Sequence, residues 1–479
     1  MHALLALALL QALGYLVVKA LAGSSLQRFE RWGLSFGAGT GILSFGMFVL
    51  AWQGVPLRPA NLLALAAGLL GIAALGTFLR ARRIRRSRVA RFEAGPSAQK
   101  AVLRGCPLSA LEWVSLAIVG ACIVVVFADA ASQLLLAFDA RAIWGFKAKV
   151  LYYEEGIYND AFLDADRLHA KTRYPQLIPL AEAFVASITG GFHEPALKLL
   201  FPCFYVALIL LVGSELRRVF DRRCALVATS LFASLPAFTI NDNGGAASGY
   251  ADLPLAFYVT ALAVNLFRWL ETKSWDRLRL AFLFTSLAAF TKAEGLALVA
   301  IVFLAAAASA WLLQGWPVHS LWPLAATALA GLVSLAPWFS YRSNLPIVDE
   351  DFPKLLALGN LANGVGRLPH ILRSFGREFF LKPHLWSLLG ISAAALLVWS
   401  PRRVVRSRFA VFLWISALYS VTLTAIFMVI PWQLEALFPV ALTRLMMHVA
   451  PSLFLWICFE LGDTMTSNQQ VPPWISQQG

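Results

Sequence analysis

Apolar runs of about 20 residues recur along the whole chain, and this recurrence limits the available folds more than any other feature. A helical run of that length crosses the hydrocarbon core of a bilayer. In lipid, only helices and closed barrels satisfy every backbone N–H and C=O. The runs are continuous rather than alternating and therefore read as helices. Composition agrees: 59% of the 479 residues are hydrophobic and 14% charged, against roughly 25% charged in soluble domains. The expected fold is an all-α integral membrane protein with about 13 transmembrane helices, near residues 3–21, 32–52, 61–79, 111–138, 196–216, 224–238, 252–270, 278–291, 295–313, 321–341, 385–399, 409–430 and 448–461.

Two long polar stretches, 139–194 and 342–384, mix charges, aromatics and short amphipathic patterns. They are expected to be non-cytoplasmic loops carrying interfacial helices. Within the first, the apolar run 174–189 is short and interrupted by Pro175 and Pro179, so it reads as a helix lying in the interface. The chain divides into a three-helix segment with a basic loop (1–110), a central membrane core (111–345) and a C-terminal membrane segment with its own outer loop (346–479).

The charges set the orientation. With the N-terminus outside, segments 19–31, 80–104, 215–223, 268–279 and 402–408 are cytoplasmic and hold 24 of the 40 Lys and Arg residues. Such a bias is what the positive-inside rule requires. The net charge of +14 is then a property of topology, and no nucleic-acid partner is implied. The first 22 residues carry no positive charge ahead of their apolar stretch, since Lys19 follows it. That order favours a retained first helix over a cleaved signal. The five cysteines are scattered (Cys106, Cys122, Cys203, Cys224, Cys458) and give neither a disulfide framework nor metal spacing. The Ala/Leu/Arg/Trp-rich composition favours a bacterial inner membrane, with a periplasmic N-terminus and a cytoplasmic C-terminus.

With that topology the unusual polar residues fall on one face. Asp139 ends the fourth helix and opens Asp-Ala-Arg-Ala-Ile-Trp-Gly-Phe-Lys-Ala-Lys, which includes Trp144 and Lys147; His169, Arg173, Tyr174 and Pro175 close the same loop. Asp242 lies between Asn241 and Asn243, and Asp252 follows the flexible Gly-Gly-Ala-Ala-Ser-Gly stretch. Lys292 and Glu294 occupy a tight turn, Trp338 and Arg342 end the tenth helix, and Trp432, Glu435 and Arg444 precede the last.

Four of these features resemble the GT-C glycosyltransferases, which include protein O-mannosyltransferases, the lipid A aminoarabinose transferase and the oligosaccharyltransferase catalytic subunit. An Asp follows a spanning helix and opens a long outer loop (Asp139), and a His…Tyr-Pro-x-Leu stretch closes it (His169, Tyr174, Pro175, Leu177). Asp-Leu-Pro-Leu from Asp252 opens a helix after the second outer loop, and a Thr-Lys-x-x-Gly turn runs from Thr291 to Gly295. The resemblance covers residues 111–342, with a weaker echo at 432–451. It implies inverting transfer of a sugar from a polyprenyl-phosphate carrier to a lipid, glycan or protein acceptor.

The residue types suit that reaction. An attacking hydroxyl needs a base, the role expected of Asp139. A leaving phosphate needs cations where its charge accumulates, the role expected of Lys292, Arg342 and Arg444. Asp252, with Asp242, offers hard oxygen ligands for a divalent ion such as Mg, Mn or Zn. Trp144, His169, Tyr174, Glu294 and Trp338 are the expected lining. The chain departs from the family in two respects. Three helices precede the resemblance, and Asp139 is followed by Ala140 rather than by a second acidic residue. Asp129 is therefore a rival base.

Plainer readings compete. Asp252 stands where a helix N-cap would, Lys292 and Arg342 stand where snorkelling cations would, and Arg444 where a headgroup anchor would. His169 suits an ordinary loop hydrogen bond, and the tryptophans suit an interfacial belt. Two other functions compete as well. A transporter or lipid flippase would carry its polar residues near the midplane on broken helices. A glycan ligase or polymerase using a lipid-diphosphate donor would rely on Arg and His.

Overall fold

The computed structural model describes residues 2–23, 25–89, 107–164, 167, 170–346 and 358–468. Among them there is no strand. Eighteen of its helices build the bundle and position the site. The first half comprises α1 (His2–Ala22), α2 (Arg28–Trp52), α3 (Pro59–Val89), α4 (Ala110–Ser132), α5 (Phe146–Tyr153), α6 (Leu177–Thr189), α7 (Leu200–Val219), α8 (Arg222–Ala233) and α9 (Asp252–Thr272). The second comprises α10 (Trp275–Ala289), α11 (Glu294–Ala308), α12 (Trp322–Val333), α13 (Ala336–Ser343), α14 (Leu368–Phe380), α15 (Leu389–Trp399), α16 (Ala410–Val429), α17 (Leu434–Met447) and α18 (Ala450–Asn468).

Among the described residues, eight helices are long and apolar enough to cross a membrane, and up to ten if each of two bent pairs counts as one span. The protein is an integral membrane protein of at least this complexity. All thirteen expected segments are largely helical, but several are too short or too broken to qualify alone. Proline is one cause. Pro337 and Pro451 lack the N–H that would bond the carbonyl four residues back. The α12–α13 pair accordingly bends by 48° and the α17–α18 pair by 52°. Pro236 likewise falls where the expected helix at 224–238 divides.

Local chemistry fixes the helix starts. Ser109 and Glu112 form a reciprocal capping box at α4, and Gln27 and Glu30 form another at α2. Asp221 caps α8 by accepting from the Cys224 N–H at 2.8 Å. Small residues let α1 and α2 cross closely: a Cβ on Gly14 would lie 1.7 Å from the Ser35 carbonyl oxygen, and one on Gly39 1.8 Å from that of Leu10. Substituting either forces the pair apart.

α9 is the hub. Asp252 through Leu270 are all buried, and the helix packs against α2, α7, α10, α11, α17 and α18. By contrast, α3 and α4 turn Ile72, Leu75, Val124 and Val125 outward. Water would penalise such a surface, and lipid does not.

Segment 177–189 is the helical part of the expected run 174–189. Leu177 through Ser187 are all buried, and the helix packs between α1, α2 and α5. It is apolar because protein surrounds it on every side.

Candidate functional site

Five segments, separated by up to 305 residues, meet at the N-terminal end of α9. Asp252 is the first residue of that helix and wholly buried. Its carboxylate makes no capping bond, and Ala251 holds the N-cap position. Instead Oδ1 accepts from Lys292 Nζ at 2.9 Å and pairs with His448 Nε2 at 3.0 Å. Oδ2 is buried without a hydrogen-bond partner. The N-terminal position still favours a negative charge through the helix dipole.

Lys292 arrives on the turn between α10 and α11 and reaches Glu294 Oε1 at 3.0 Å. Burial opposes its charge, but Asp252 and Glu294 more than offset that, and its pKa lies above the ordinary lysine value. Lys292 is thus a firm ammonium, not a snorkelling one. Glu294 keeps its other oxygen, Oε2, buried and unpaired.

His448 sits at the α17–α18 break and is wholly buried. A carboxylate only accepts, so a neutral His448 carries its proton on Nε2 and offers Nδ1 to the Tyr419 hydroxyl, 2.9 Å away on α16. The result is a chain running Tyr419, His448, Asp252, Lys292, Glu294.

Asp139 joins from the other side. It precedes a single turn of π-helix, Ala140–Gly145, and its side chain does not cap that turn. The carboxylate pairs with Arg444 of α17. It is 24% exposed and Arg444 16%, so the pair lies at the rim where Asp252 lies beneath. The Asp139 N–H donates to the Tyr250 hydroxyl at 3.2 Å, and the Arg444 guanidinium lies over the Tyr250 ring, 4.9 Å from its centroid. Burial raises the Tyr250 pKa, so the phenol stays protonated. Arg444 Nε is buried without a hydrogen-bond partner. Gly244 has φ +107°, and a Cβ there would sit 3.1 Å from the Arg444 stem. The glycine therefore both makes the turn and leaves room for the guanidinium.

The other expected residues divide. Trp144 is buried, and Lys147 Nζ lies 4.6 Å from its ring centroid and 5.8 Å from that of the adjoining Tyr174. Lys147 and Glu182 of α6 are both fully buried; burial draws Lys147 down to about 7 against the pull of Glu182, and raises Glu182 well above the usual carboxylate range. Trp338 packs against Phe48, Phe290 and Tyr341 in an aromatic cluster of the core. Arg342 follows Tyr341, whose hydroxyl donates to the Ile157 carbonyl. Asp129 and Asp242 both lie within electrostatic reach of Lys198. His169 lies outside the described residues.

The donor set does not suit a divalent ion. Asp252 is already shared by an ammonium and an imidazole, with the Arg444 charge close by. Asp242 is exposed. Among the described residues, no three His, Cys, Asp or Glu side chains gather as a metal site. Lys292 and Arg444 are the two cations of the cluster, set among three carboxylates, Asp139, Asp252 and Glu294.

The sequence reading did not single out His448, Tyr419 or Tyr250. One signal existed for His448: it lies four residues after Arg444, the spacing that puts two side chains on one helical face. Nothing marks Tyr419 within its apolar helix. Compared with protein-family models and with curated proteins, the chain matches none.

Proposed function

We propose that the protein is an inverting glycosyltransferase of the GT-C type, moving a sugar from a polyprenyl-monophosphate carrier to a lipid, glycan or protein acceptor. The observation that carries this is the convergence of a rim carboxylate, Asp139, with two cations, Arg444 and Lys292, at one end of the bundle. Positive-inside orientation puts that end on the non-cytoplasmic face, in a bacterial inner membrane with the N-terminus periplasmic and the C-terminus cytoplasmic.

The chemistry is a single displacement. The acceptor oxygen bonds to the anomeric carbon as the bond from that carbon to the phosphate oxygen breaks. The hydroxyl proton passes to Asp139, and the electron pair leaves with the phosphate. A phosphate arriving at Arg444 competes with Asp139 for the guanidinium and frees the carboxylate to act as base, worth about 10²–10⁴-fold. Lys292, held by Asp252 and Glu294, supplies the second positive charge.

A second reading, a transporter or lipid flippase, draws on one observation. His448 stands at the break of a bent helix pair within a buried polar chain, and broken helices with ionisable residues serve transport sites.

The test is sugar release by purified protein from radiolabelled polyprenyl-monophosphate hexose and pentose donors, with a diphosphate-linked series alongside. Release from the monophosphate series that is lost in Lys292→Ala is the expected result. Release from diphosphate donors alone points to a ligase, and binding without release to a transporter; either overturns the proposal.

A further inference from the structure

A second polar feature lies at the far end of the bundle, where two spans finish at the same level. α16 begins at Ala410, and the last bent pair of helices ends at Asp463. Between them is a cleft of about 560 Å³ lined by Arg402, Arg403, Arg406, Ser407, Arg408, Phe409 and Asp463. Four guanidinium groups and one carboxylate line it, and Glu460 lies just behind, taking the Ser407 hydroxyl.

Two of the four have structural duties. Arg403 pairs with Asp463 at 3.0 Å, and Arg408 approaches Glu271 at 3.6 Å. Among the described residues, Arg402 and Arg406 have no carboxylate partner, and both are exposed. The cleft therefore keeps a surplus of positive charge where the chain leaves the membrane.

The helix leading into it is apolar and uncovered. α15 ends in Val398 at 83% exposure and Trp399 at 87%, and Pro401–Arg406 follows after one residue. An occupant of this place meets an apolar wall and then a ring of guanidiniums. That sequence matches an acyl chain beneath a phosphodiester. Arginine suits the head because its planar fork grips two phosphate oxygens at once. A zwitterionic head would bring its own ammonium into the same surplus.

We infer that this cleft is a binding site for an anionic glycerophospholipid, with its phosphate on Arg402 and Arg406 and its chain along α15. The site is separate from the Asp139–Asp252 network and does not depend on its reading.

Native mass spectrometry of the full-length protein, titrated with phosphatidylglycerol or phosphatidylcholine, tests this. Each surface cation contributes about 1 kcal/mol toward anionic lipid. The double variant Arg402→Gln/Arg406→Gln should therefore bind phosphatidylglycerol roughly 20- to 30-fold more weakly. Neither residue holds a structural ion pair, so the variant should elute and melt as wild type does. The control Arg373→Gln/Arg377→Gln removes the same charge from α14 and should keep full binding. Equal binding of the two lipids by wild type, or unchanged binding in the Arg402/Arg406 variant, would overturn the inference. So would an equal loss in the control, or complete displacement of the lipid by millimolar inorganic phosphate, since a free phosphate would then be the ligand.

Discussion

The two ends of α9 carry two charge networks, built from the same residue types to different ends. They are about 24 Å apart along the helix. At the far end, Glu30 accepts from Arg277 on one oxygen and from Arg218 at 2.5 Å on the other, while Glu215 takes Arg218 at 3.1 Å and Arg268 at 2.6 Å. Arg277 also donates to Asn265 at 3.2 Å. Every oxygen of these two carboxylates is used. At the Asp252 end, one oxygen of Asp252, one of Glu294 and the Nε of Arg444 are buried with nothing bonded to them. Buried polar groups are rarely left so without a reason. Where both carboxylates are fully used the network holds helices together, and at the Asp252 end two carboxylate oxygens remain to accept a further donor.

That contrast can be broken by mutation. The largest effect belongs to the saturated end. Glu30→Gln leaves Arg277 buried without its charge partner, while the partly exposed Arg218 keeps Glu215, a change that costs about 3–5 kcal/mol. Unfolding of the purified variant should show a loss of that size. A loss under about 1 kcal/mol would mean the far network is as slack as the near one.

The Lys147–Glu182 pair is next. With Lys147 drawn down to about 7 from 10.5, the unfolded chain binds the proton more readily than the folded one. Lys147 therefore contributes a rise in stability with pH between about 7 and 10.5, while Glu182, whose pKa is raised, contributes a fall as pH climbs toward its folded value. Replacing the pair, Lys147→Met/Glu182→Leu, should be neutral or stabilising by up to about 4 kcal/mol near pH 7. The gain from Lys147→Met alone should shrink as pH is raised toward 10.5. Thermal unfolding of wild type and Lys147→Met against pH decides this, and a difference between them that stays constant from about pH 7 to 10.5 refutes it.

Gly244→Ala should cost about 1–3 kcal/mol from its positive φ. Because the new Cβ meets the Arg444 stem, it should lower transfer activity more than stability. Equal melting and equal turnover would show that the Arg444 position is loosely held. The smallest stability effect is expected for Asp139→Asn, because that pair lies at the rim, at 24% and 16% exposure, and the Asn oxygen can still accept from Arg444.

Much of this was legible in advance. Apolar run length located the helices. Of the expected site residues, Asp139, Asp252, Lys292, Glu294 and Arg444 meet in one place, because each ends or begins a helix on the same side of the bundle. What could not be read was which of them touch. Asp139 and Arg444 are 305 positions apart, and no periodicity reports that distance. Trp338 illustrates the opposite error. A tryptophan at a helix end suits a site or a belt equally, and only packing shows that its neighbours are Phe48 and Phe290. For segment 177–189, apolar composition could not distinguish burial in lipid from burial in protein, and only packing shows that α1, α2 and α5 enclose it.

The central claim is that the unsaturated end is a reaction centre with Asp139 as its base. The most direct test is turnover of a polyprenyl-monophosphate sugar by Asp139→Asn at matched amounts of folded protein. The account predicts a fall of about 10²–10⁴-fold, with a melting temperature close to wild type. Full turnover by a folded Asp139→Asn protein would contradict it.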